Sequence, residues 1–145
     1  MKRYYFDHAS TTPVDPRVIT QMVGCLGASG QFGNPASTTH GFGWDASEAV
    51  ESARVAVAET IGADPRELVW TSGATEADNL ALKGLYDALA SQTGRHKIIS
   101  LASEHKAILD PLTLLGERGA EVVILNPLPS GLVDLQALEA VLDQT

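Results

Sequence analysis

Apolar positions along the chain follow two rhythms. Val18, Ile19, Met22, Val23 and Leu26 recur at helical spacing, as do Val50, Ala53, Val57, Ala58 and Ile61, and then Leu80, Ala81, Gly84, Leu85, Ala88 and Leu89. Residues three and four apart share one face of a helix, so each set predicts an amphipathic helix. Short apolar, β-prone runs at 67–70, 97–102 and 121–125 predict strands.

Local signals set the boundaries. Asp15-Pro16 marks the first helix start, an N-cap followed by proline at the first helical position. Residues 27–33 form a glycine-rich break, and 33–37 a turn. A long helix is expected over about 40–61, with Glu48, Glu51, Arg54 and Glu59 on its wet side and Gly62 ending it. The next helix starts ahead of the apolar set between Leu80 and Leu89 and ends between Ala90 and Gly94. Another spans 106–118 and closes at Gly119, and Asp134 caps a last one carrying Leu135, Leu138, Val141 and Leu142. Tyr4-Tyr5-Phe6 reads as an extended aromatic piece before a polar loop at 7–13. From residue 67 strands and helices alternate, which predicts an α/β fold with crossover connections.

Composition narrows the class. The chain has 145 residues, 44% of them hydrophobic, enough for one domain with a core of its own. A net charge of −8 without a basic run argues against nucleic acid and anionic membranes as partners. No apolar run is long enough to span a bilayer, and the first residues lack the apolar region of a signal peptide. Cys25 is the only cysteine, so no internal disulfide forms, in keeping with a cytoplasmic setting. Beside an apolar helix face with no charged activator nearby, Cys25 is expected to be a buried, inert thiol.

Candidate chemistry centres on Thr71-Ser72-Gly73-Ala74-Thr75-Glu76-Ala77-Asp78-Asn79. Read as strand, tight turn and helix start, the stretch offers unpaired amides, the positive end of a helix dipole, and the hydroxyls of Ser72 and Thr75. That makes an anion cradle, most simply for phosphate. The plainer reading is an ordinary N-cap made by Ser72 or Thr75. The stretch is neither a P-loop nor a dinucleotide fingerprint. His105 follows the strand at 97–102, and ligands of such sheets gather at strand carboxyl ends. If the strands before Gly73 and before His105 are neighbours, a phosphate cradle and an imidazole share one sheet edge, which suits a phosphorylated aromatic cofactor. A histidine merely bonded to backbone is the alternative. Consecutive Ser103, Glu104 and His105 cannot form a hydrolytic relay. His8, His40, His96 and His105 show no metal-ligand spacing.

Asp7 through Pro16, Gly33-Asn34-Pro35-Ala36-Ser37, the 71–79 stretch and Glu104-His105-Lys106-Ala107 together resemble the N-terminal part of a cysteine desulfurase. Such enzymes belong to the class V aminotransferase group of pyridoxal-phosphate enzymes, with the fold type I large domain. The resemblance covers nearly the whole chain and is closer to the housekeeping and nitrogen-fixation type. It implies an incomplete sheet with crossover helices, residues 1–15 associated with the small domain, and 16–145 as the first part of the cofactor-binding large domain, truncated at 145. By resemblance, Gly73, Ala74 and Thr75 hold the phosphate of pyridoxal 5'-phosphate. His105 stacks on its ring and assists proton transfer, and Asn34 lies on the substrate side. Ser10 stands where the family more often has alanine.

The resemblance also implies what lies downstream: the Schiff-base lysine, the acid that holds the pyridine nitrogen protonated, and the cysteine that receives sulfur. Lys2, Lys83, Lys97 and Lys106 do not match that lysine, nor Cys25 that cysteine. The implied parent is a homodimer that takes sulfur from L-cysteine, releases L-alanine and passes persulfide sulfur to an acceptor or scaffold protein for iron–sulfur clusters or other pathways. These 145 residues alone are expected to be inactive. Two other readings stay open. One is a related class V enzyme, a selenocysteine lyase or aminotransferase. The other is a non-catalytic truncated or split subunit docking on another chain, to which an end at Thr145, before an expected strand, would point.

Overall fold

A computed structural model describes residues 2–142. It divides into two compact units, before and after the Val69–Trp70 bond. The expected domain end at Thr145 lies outside the described residues.

In the first unit, helix α1 (Pro16–Leu26) starts where the Asp-Pro signal put it, with Asp15 accepting from the Arg17 amide at 2.8 Å. The Arg17 guanidinium closes on the same carboxylate and holds it below the usual aspartate range. No residue of α1 is buried: Val18, Ile19, Met22, Val23 and Leu26 all stand exposed. The expected burial of Cys25 is therefore wrong. The apolar face beside it has no cover among the described residues, and the thiol is exposed with it.

Helix α2 (Gly41–Ile61) is capped by His40, whose Nδ1 accepts from the Gly43 amide, and ends on Gly62 at φ 68°. Trp44 Nε1 donates to the Thr38 carbonyl at 2.8 Å, tying the preceding loop to the helix start. A Cβ at Gly43 would come within 1.9 Å of the Ser37 carbonyl oxygen, so this approach needs glycine. The expected α2 stripe is corrected. Gly43, Ala46 and Ala58 are buried, whereas Ala53, Val57 and Ile61 are exposed. Arg54, expected on the wet side, is partly covered and donates to the Leu68 carbonyl at 2.6 Å, because the chain after α2 folds back over that side. The strand expected at 67–70 is also absent. Asp64 and Glu67 form a reciprocal capping box that winds Pro65–Glu67 into a 3-10 turn, and residues 68–70 join neither strand of the sheet.

The second unit runs α3 (Ala74–Thr93), β1 (Lys97–Leu101), α4 (Lys106–Glu117), β2 (Glu121–Leu125) and α5 (Leu135–Leu142). Gly94 ends α3 at φ 68°, and Asp134 caps α5 through the amides of Gln136 and Ala137. The two strands pair in parallel, from Lys97↔Glu121 to Leu101↔Leu125. Parallel pairing requires a crossover, which α4 supplies. Ala107, Leu112 and Leu115 of α4 form this unit's buried core, with α4 packed on α3 and β2. Lys97 Nζ reaches both its cross-strand partner Glu121, at 3.3 Å, and the Val141 carbonyl of α5, at 3.2 Å. The unit is α/β with an incomplete sheet, as the alternation predicts. No described helix is long and apolar enough to cross a membrane.

Candidate functional site

The turn before α3 is braced on three sides. The Thr71 hydroxyl donates to the Gly73 carbonyl, and the Asn79 amide donates to the Thr75 carbonyl at 2.8 Å. Glu76 Oε2 accepts from both the amide and the hydroxyl of Ser72, at 2.7 and 2.5 Å. Those two bonds, the hydroxyl's first, hold the Glu76 carboxyl below its usual range. A lowered folded value means the clasp is fully formed above the ordinary carboxylate range and is lost as pH falls through the lowered one.

The helix itself begins at Ala74, inside the stretch read as turn and helix start. Its N-cap is Gly73, with no side-chain cap. Neither Ser72 nor Thr75 caps it, so the plainer N-cap reading fails. The cradle reading also changes in one part. The Ser72 hydroxyl proton is committed to Glu76, which leaves Thr75 as the hydroxyl available beside the first-turn amides. Thr75 is exposed, and only its carbonyl is bonded among the described residues.

His105 caps α4: its Nδ1 accepts from the Ala107 amide at 3.1 Å. Nδ1 is thus the unprotonated nitrogen of the neutral ring, and Nε2 carries the proton. The ring plane is fixed while Nε2 stays available. The backbone-bonded alternative for His105 is therefore present in the structure, and it leaves a second role open.

Thr75 and His105 line one groove of about 470 Å³ between α3 and α4. The expectation that two neighbouring strands bring them together is corrected: no strand precedes Gly73, and packing of α4 on α3 does so instead. The groove also takes in Asn79, Lys83, Lys106 and Asp110. Two lysines against one aspartate favour an anionic ligand. Sequence reasoning gave these four no role, although Asn79 closes the 71–79 stretch and Lys106 follows His105. A signal was present, since Thr75, Asn79 and Lys83 lie four residues apart on one helix face. Gly73 and Ala74 stand at the open end of α3. Asn34 belongs to the first unit, where its side chain accepts from the Ala36 amide at 2.9 Å and shapes its own turn. Among the described residues, no group of three or more His, Cys, Asp and Glu could hold a metal ion.

The aminotransferase class-V family profile matches residues 4–145. The chain belongs to that family. Among relatives of this class V chain, cysteine desulfurase IscS of Proteus mirabilis is 56% identical over 136 residues, which are 94% of this chain and 33% of that protein. The same enzyme from Edwardsiella ictaluri is 54% identical over 138 residues, 95% of this chain and 34% of that protein. Solved structures agree. A NifS-like protein superposes with TM-score 0.86 at 36% identity, over 97% of this chain and 37% of its own. SspA in complex with cysteine superposes with TM-score 0.81 at 36% identity, over 94% of this chain and 38% of its own. The chain spans about a third of the length of the curated relatives it matches. Pyridoxal phosphate is the cofactor of the family.

Proposed function

We propose that these residues form the opening part of a pyridoxal-phosphate-dependent cysteine desulfurase, with 1–15 associated with its small domain and 16–145 in its large domain. The observation that carries the reading is the groove shared by Thr75, at the uncapped start of α3, and His105. The donor set fits the cofactor. The amides of Ala74 and Thr75, with Gly73 giving close access and the Thr75 hydroxyl, would hold its phosphate. His105, its ring fixed through Nδ1, would lie against the pyridine and hold or pass a proton at Nε2. Asn34 would stand on the substrate side. When bound, the cofactor supplies an electron sink that weakens bonds at the substrate's α- and β-carbons. The covalent lysine, the acid for the pyridine nitrogen and the sulfur-accepting cysteine come from outside these residues.

The overall reaction balances without an external oxidant. L-Cysteine gives up its sulfur to an enzyme thiol, leaving L-alanine and a persulfide. Two thiols then reduce the persulfide to sulfide and regenerate the enzyme thiol, themselves becoming a disulfide. In the cell the persulfide sulfur passes instead to an acceptor or scaffold protein for iron–sulfur clusters. A cytoplasmic homodimer is the assembly this reading carries. The test is alanine and sulfide release by the complete protein, given L-cysteine and excess thiol. Equal amounts of both support the reading. Selenide release from selenocysteine alone, or amino-group transfer without sulfide, would replace it with the related class V activities.

A further inference from the structure

We infer that Glu76 is a positioning residue for the phosphate cradle: by clasping Ser72 it fixes the turn that presents the α3 amides and the Thr75 hydroxyl to a phosphate ester. The inference rests on the cradle reading above and adds a residue to it.

The geometry is unusual for a helix start. A glutamate at the third helical position ordinarily reaches back to the N-cap amide and closes a capping box. Glu76 reaches one residue further, past Gly73, and takes both the amide and the hydroxyl of Ser72 on one oxygen. Gly73 has no side chain, and among the described residues no side chain caps the start of α3. Glu76 is also the only acid in the first turn of α3. An untethered carboxylate there would compete with a phosphate for the positive end of the dipole. Tethered to Ser72, it braces the turn, while Thr71 and Asn79 brace the carbonyls of Gly73 and Thr75. The same clasp commits the Ser72 hydroxyl, leaving the phosphate to the backbone and Thr75.

The experiment compares the affinity of the complete protein for pyridoxal phosphate and for pyridoxal, which lacks the phosphate, in wild type, Glu76→Ala and Glu76→Gln. Loss of two charge-assisted bonds should weaken pyridoxal phosphate binding about tenfold in Glu76→Ala, with pyridoxal unchanged. Glu76→Gln keeps a carbonyl acceptor for Ser72 and sheds the negative charge, so it should stay within about threefold of wild type. Three results would each overturn the role of Glu76: unchanged phosphate-ester affinity in Glu76→Ala, equal loss of both ligands, or Glu76→Gln as weak as Glu76→Ala. A wild-type protein with no preference for pyridoxal phosphate over pyridoxal fails differently, and removes the cradle itself.

Discussion

Leu115→Ala is expected to lower the free energy of unfolding by about 2–5 kcal/mol, the range for truncating a fully buried leucine into a cavity. Leu115 has no exposed surface and Leu112 has 1%, and they are the largest fully buried side chains among the described residues. They sit on the inward face of α4, the crossover between the paired strands and the helix that carries His105. Because whole domains are stable by only about 5–15 kcal/mol, one such change removes a large part of the margin. Denaturant unfolding checks it: the midpoint should fall with an unchanged slope. Leu114→Ala, one position along at 42% exposure, should cost roughly 1 kcal/mol or less. Equal effects at the two positions would contradict the assigned packing of α4.

Thr75→Val should weaken pyridoxal phosphate binding by about tenfold to a hundredfold, the value of one hydrogen bond to a charged group. Valine keeps the branched shape and removes only the hydroxyl. Ser72 cannot substitute, because its proton is held by Glu76. The Thr75 amide remains, so binding is weakened and not abolished. Pyridoxal affinity should not change. A titration with each ligand reads both numbers. A Thr75→Val protein that binds the phosphate ester as wild type does would take the hydroxyl out of the site.

Much of this was legible in local signals. Asp15-Pro16, Gly62 and Asp134 mark helix ends through bonds made within a few residues, Gly94 does so through its left-handed backbone, and the structure has helix ends at all four. The two strands at 97–101 and 121–125 were legible for the same reason, as apolar runs bounded by turns. Placement of Thr75 and His105 in one groove was legible in outcome but not in cause, since helix packing achieves what a pair of strands was expected to do. Most of the errors are tertiary. A run such as 67–70 becomes a strand only when a neighbour accepts its ladder, and the Asp64–Glu67 capping box takes its first residue into a turn. Apolar faces were read as buried, yet those of α1 and much of α2 lack cover among the described residues, which leaves Cys25, Val57 and Ile61 exposed. Arg54 was placed in water by its charge, whereas a long side chain can lie along a covered surface and end on a carbonyl. The Glu76–Ser72 clasp spans four residues at a helix start and departs from the usual capping register, so no spacing rule points to it.

On the proposed reading, a phosphorylated pyridine cofactor lies between the start of α3 and His105. The most direct test is a structure of the complete protein crystallised with pyridoxal phosphate. The expected result is phosphate oxygens within hydrogen-bonding distance of the Ala74 and Thr75 amides and the Thr75 hydroxyl, with the pyridine ring against His105. A phosphate held only by Lys83 and Lys106, away from the α3 amides, or a ring out of contact with His105, would contradict it.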